Sequence, residues 1–205
     1  MNSTNKTSLI LIMKGKPLNF IHITKCAGTT IENVGKEGGI KWGRFFEKWP
    51  KYHQPFSSKP TMLKKQYDWF IVVRNPYSRI LSEFYCKFGG VGKRAHTFNK
   101  KTFNHKIQTL IKRPHRGFHY VPQHLYVDDS TVIHILHFEN LKNDFEKLMQ
   151  KYKLNLTLNR KDQQAPVTKH LTVRDFNKKT LSLIRSKYHK DFESFGYSRD
   201  DIPET

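Results

Sequence analysis

The chain has 205 residues, enough for one well-buried core, and its 37% apolar and 13% aromatic content excludes a disordered polypeptide. Lys and Arg number 37 against 17 Asp and Glu, a formal charge of +20 that attracts polyanions and steers acidic ligands into clefts. The two cysteines are too few for a disulfide framework and point to a reducing, intracellular setting.

Residues 1–16 read as a loose N-terminal segment ahead of a single domain over 17–205. Leu9 to Met13 is a short apolar run followed at once by Lys14 and Lys16, too short for a signal core or a membrane span. No other stretch comes near that length, which predicts a soluble, cytoplasmic protein. Leu18 to Ile23 is a continuous β-prone run. A helix begins near Gly28, carries Ile31 and Val34 inward, and ends over Gly35, Gly38 and Gly39. Residues 40–68 read as irregular, rich in aromatics and Lys, and punctuated by Pro50, Pro55 and Pro60.

Trp69 to Val73 is a second buried strand. The helix after Pro76 turns Ile80, Leu81, Phe84 and Tyr85 to the core and is closed by Gly89 and Gly90. A helix over 98–112 buries Phe103, Ile107, Leu110 and Ile111, and a loop rich in Pro, Gly and His spans 113–124. Thr131 to Phe138 reads as a third strand. Asn140 to Lys153 reads as a helix with Leu141, Phe145, Leu148, Met149 and Tyr152 on its inner face. After a polar loop over 159–171, a last helix buries Leu181, Ile184 and Tyr188 before the aromatic tail Phe192, Phe195 and Tyr197. Strands alternating with helices predict an α/β domain with a P-loop-like, mainly parallel central sheet and helices on both faces.

Chemistry concentrates where the first two strands meet their helices, because a helix start offers unpaired N–H groups and a positive dipole end to an anion. In Thr24-Lys25-Cys26-Ala27-Gly28-Thr29-Thr30, small residues let the backbone approach an anion, the threonines add hydroxyls and Lys25 adds a mobile charge. The lysine precedes the glycine, so this is not the G-x-x-x-x-G-K-[ST] loop of nucleoside triphosphate binders; an ordinary turn with a threonine cap also fits it. In the second segment Arg74 ends the strand, where its planar fork can grip a phosphate, and Ser82 lies two turns into the helix. Arg79 also reads as the partner of a helix carboxylate.

Together the two segments resemble the sulfotransferases that use 3′-phosphoadenosine 5′-phosphosulfate, whose loops have the forms P-K-x-A-G-T-T and R-x-P-x-x-R-x-x-S-x-Y. Thr24 stands for the usual proline, and one residue is inserted before Tyr85. His119-Tyr120-Val121-Pro122-Gln123 is similar to the H-W-x-P-Q segment of the carbohydrate branch. Phe138-Glu139-Asn140-Leu141 with Asp144, and the ending over 188–197, resemble its later landmarks.

The resemblance implies the sulfotransferase fold and sulfuryl transfer to a hydroxyl, that of a glycan. It implies Lys25 at the bridging oxygen of the donor and Cys26, Ala27, Gly28, Thr29 and Thr30 around the 5′-phosphate. Arg74 and Ser82 fall at the 3′-phosphate, and His119 and Gln123 at the acceptor. His53 is the first choice for general base, by its loose alignment with uronyl 2-O-sulfotransferases, and His119 is the second; Glu32 and Glu83 are weaker alternatives that read better as helix-surface carboxylates. Such a site needs no divalent metal, and the groups His115, His119 and His124, or His134 and His137, lack the Cys or carboxylate support of a zinc site.

Two other classes stay open. A phosphotransferase is disfavoured by the missing Gly-Lys-Ser/Thr order. A non-catalytic binder of polyanions or nucleic acid draws on the charge, but the aromatics sit at core spacing and form no stacking platform.

Overall fold

Burial on both faces makes β2 (Asp68–Val73) the spine of the sheet: Trp69 through Val73 are each 0% exposed, the continuous apolar run that a covered parallel strand requires. The computed structural model describes residues 15–113, 116–128, 131, 133–159 and 170–203. The run Leu9–Met13, His115 and most of the loop expected over 159–171 lie outside the described residues. β1 (Leu18–Phe20) and β3 (Ile133–His137) flank β2, both parallel to it, with Phe20 opposite Phe70 and Ile71 opposite Ile135.

The helices divide the interior between two cores. α1 (Gly28–Glu37) and α5 (Leu141–Lys151) press Ile31, Val34, Phe145, Leu148 and Met149 against Phe20, Phe70 and Trp42. A second core joins α3 (Pro76–Phe84), α4 (Lys100–Lys112), α6 (Lys178–Lys187) and α7 (His189–Ser194) through Ile80, Phe84, Phe103, Ile107, Ile184 and Phe192. A parallel sheet flanked by helices is the α/β architecture expected. Among the described residues, no helix is long and apolar enough to cross a membrane.

The expected element bounds shift where the chain finds tertiary partners. β1 stops at Phe20 instead of continuing to Ile23. The Ile21 N–H still donates to Phe70 O at 3.1 Å, but the His22 N–H turns away to Tyr52 O at 3.3 Å. α1 runs through Gly35, and Gly38 is its C-cap. The irregular stretch holds short 3-10 turns at Gly43–Phe45, Lys51–His53 and Phe56–Ser58, and then α2 (Thr61–Gln66), which follows Pro60. The aromatic tail begins as α7, whose Asp191 is fully buried.

Candidate active site

At the β1–α1 junction the backbone is strained at two residues. Lys25 and Ala27 take left-handed conformations, with φ of 63° and 59°, which cost energy in residues other than glycine. The first acceptor of α1 is Ala27 O, which receives the N–H groups of Thr30 at 3.0 Å and Ile31 at 3.2 Å. Among the described residues, nothing accepts from the N–H groups of Cys26, Ala27, Gly28 and Thr29. Lys25 is half-buried, and its ammonium has no partner among them either. Successive N–H groups left open beside a lysine are the kind of main-chain arrangement that can receive an anion.

Cys26 contributes only main chain to that arrangement. Its thiol points inward and is 0% exposed, close to Gln123 Oε1 at 3.3 Å, and burial pushes its pKa up to about 12.

The β2–α3 junction is built differently. Asn75 caps α3 by accepting from the Tyr77 N–H at 3.0 Å, and Pro76 occupies the first helical turn. Gln123 fixes the Arg74 main chain on both sides: its Oε1 accepts from Arg74 N–H at 2.9 Å, and its Nε2 donates to Arg74 O at 2.8 Å. Its own N–H donates to Asp191 Oδ2 at 2.8 Å. Gln123 was expected at the acceptor. It is instead fully buried and tied to Arg74 and Cys26, a strut between the two junctions.

Arg74 lays its guanidinium 4.1 Å from the centre of the Phe138 ring, and its Nη1 donates to Lys25 O at 3.3 Å. Its Nε is buried with no hydrogen-bond partner among the described residues. Arg79 is structural, as the carboxylate-partner reading had it. It donates to Thr24 O at 3.0 Å and Val121 O at 2.8 Å, and stands 3.8 Å from Glu83. Thr24, in the place of a proline, adds a further tie through a 2.5 Å hydrogen bond from its hydroxyl to Glu83 Oε1. Ser82 is half-buried on α3, and its hydroxyl has no partner among the described residues.

Three histidines line this end of the sheet, each held through Nδ1. His53 closes the turn Lys51–His53, which buried Lys59 braces by donating to Lys51 O at 2.8 Å. His53 Nδ1 lies 2.8 Å from His22 O. A carbonyl only accepts, so the neutral ring carries its proton on Nδ1 and leaves Nε2 as a free base. Burial, with His22 beside it, lowers the His53 pKa from 6.5 to about 3.

His119 Nδ1 bonds Glu83 Oε2 at 2.6 Å, and His22 Nδ1 bonds Glu32 Oε1 at 2.8 Å. Both glutamates were expected on helix surfaces; both are 0% exposed, because each has a histidine and an arginine to balance its charge. Burial pushes the Glu83 carboxyl upward, but the His119 hydrogen bond and the charges of His119 and Arg79 outweigh it and hold it below the usual range. Glu83, Cys86 and His119 also gather ligand atoms within 4.8 Å of one another. Glu83, however, already serves Thr24, His119 and Arg79, a donor set that suits an anion better than a second cation.

A model described as the sulfotransferase family matches residues 9–198. The chain belongs to the sulfotransferase family. No curated protein and no solved structure was found to match it. Membership makes the protein an enzyme of sulfuryl transfer, and the free N–H groups beside Lys25 lie on the stretch that resembles the family's first anion loop.

Proposed function

We propose that the protein moves a sulfuryl group from 3′-phosphoadenosine 5′-phosphosulfate to a carbohydrate hydroxyl. The observation that carries this reading is the run of N–H groups from Cys26 to Thr29 that have no acceptor among the described residues, next in sequence to Lys25, whose carbonyl accepts from Arg74 Nη1. The residues present fit such a donor, since the Nε of the buried Arg74 guanidinium has no hydrogen-bond partner among the described residues. The donor supplies an activated sulfuryl group on a phosphate leaving group, and the rest falls to the chain.

Gly28, Thr29 and Thr30 hold the 5′-phosphate, and Arg74 with Ser82 recognises the 3′-phosphate. Lys25 meets the charge that develops on the bridging oxygen, a task suited to a compact ammonium. His53 receives the acceptor's proton on Nε2, an assistance worth roughly 10²–10⁴-fold. His119, with Nδ1 fixed by Glu83, orients the acceptor. The carbohydrate class rests on the likeness of residues 119–123, 138–144 and 188–197 to that branch, and the charge of +20 favours an acidic glycan.

The test is a thermal-shift series with 3′,5′-diphosphoadenosine, ATP and a short DNA. The first is expected to raise Tm by several degrees and the others much less. Equal stabilisation by all three would return the protein to the polyanion-binding reading.

A further inference from the structure

His22 and Glu32 form a buried pair that the reaction outlined above leaves without a task. His22 is 8% exposed and Glu32 0%, and their contact of 2.8 Å joins the end of β1 to the second turn of α1. Space is cut for both by glycines. A Cβ on Gly28 would sit 2.2 Å from His22 Nε2, and one on Gly43 would sit 2.1 Å from Glu32 Oε1. Arg44 secures the carboxylate from outside, its N–H donating to Oε1 at 2.9 Å and its Nε 3.5 Å from Oε2.

With Nδ1 spent on Glu32, the remaining polar atom of the ring is Nε2. It has no partner among the described residues and lies against Gly28, the first residue of α1. Gly28 is one of the four residues from Cys26 to Thr29 whose N–H groups have no acceptor among the described residues, so the His22 ring packs beside that stretch.

A ring so placed can meet an anion in two ways. Neutral, it turns a lone pair on Nε2 towards negative charge; doubly protonated, it donates a charge-assisted hydrogen bond, with Glu32 as the counter-ion. The other charged or titratable groups about the ring are Lys25 on the loop, Arg44 behind the carboxylate, and Tyr52 and His53 on the facing turn. The His53 ring centre is 4.4 Å away and that of Tyr52 5.9 Å.

We propose that His22 is a further catalytic residue: as the donor binds, it takes up a proton from solvent and donates from Nε2 to the anion held at the start of α1. Glu32 is its positioning residue. The inference rests on the donor site proposed above.

The experiment is calorimetry of 3′,5′-diphosphoadenosine binding at pH 8, in two buffers of different ionisation enthalpy, with 15N spectra of the imidazole rings of the wild-type protein. Wild type is expected to take up a proton on binding, with the His22 Nε2 signal moving to its protonated position. His22→Gln and the near-isosteric Glu32→Gln are expected to lose that uptake and to bind about tenfold more weakly. A wild-type protein that ignores the nucleotide overturns the donor site and His22 together. Binding without proton uptake, a protonation signal on His53 instead, or variants that keep both uptake and affinity overturn the His22 assignment alone. The wild-type measurement decides the matter even where a variant fails to fold.

Discussion

The β1–α1 and β2–α3 junctions both pass a strand into a helix, yet they leave opposite things unpaired. At the first, the main chain is free: four consecutive N–H groups from Cys26 to Thr29 have no acceptor among the described residues. At the second, Gln123, Asn75 and Glu139 occupy the main chain around Arg74, and what lacks a partner among the described residues is side-chain: the Arg74 Nε and the Ser82 hydroxyl. Under the proposed function, the first junction would meet an anion with open main chain beside Lys25, and the second with the fixed charge of Arg74. Substitutions that alter the main chain should therefore act through geometry at the first junction, and removal of Lys25 or Arg74 should act through charge.

The largest effect is expected at the single mobile charge of the first junction. Lys25→Ala should lower transfer by about 10²–10³-fold while 3′,5′-diphosphoadenosine still binds. Undiminished single-turnover rates would remove Lys25 from the reaction.

Next is Arg74→Ala, which should weaken a 3′-phosphorylated nucleotide by roughly 10–100-fold and its 3′-dephosphorylated analogue far less. Equal losses in parallel titrations would erase the charge half of the comparison.

Gly28→Ala probes the backbone half. The new Cβ would lie 2.1 Å from His22 Cδ2, so ring or loop must move, at a cost of about 1–3 kcal/mol in stability. Melting curves and nucleotide titration should both register it; a variant that binds and melts like wild type would show that the loop geometry is not what holds the anion.

The smallest effect concerns pH. The folded-state pKa of His53, about 3, lies below the ordinary 6.5, so the native protein favours the neutral ring. Its contribution is fully present above pH 6.5 and is lost as pH falls towards 3. His53→Gln should make stability less steep in that window, and an unchanged slope in denaturant melts would contradict the shift.

Local chemistry made much of this legible. The uninterrupted run Trp69–Val73 could only be a covered strand, and the helical spacing of Ile80, Leu81 and Phe84 could only serve a core. The proposed anion loop stands out because small residues, threonines and a lysine are adjacent in sequence. What stayed hidden depends on distant partners. Glu32 and Glu83 look like surface carboxylates until His22 and His119 arrive, the latter 36 residues away.

Gln123 was visible as a motif residue, but only the fold shows that its amide is spent on Arg74 and Cys26. The early end of β1 likewise depends on Tyr52, which no local pattern announces. α7 did leave a sign, because Phe192 and Phe195, read as a tail, follow Tyr188 of the last expected helix at helical spacing.

The inward thiol of Cys26 gives the loop a built-in reporter. Closed off and held at a pKa of about 12, it offers almost no thiolate to an alkylating reagent, whereas Cys86 is half-buried. Labelling at Cys26 must then wait for the loop to open, so its rate counts those openings, and a nucleotide seated in the loop should slow the count.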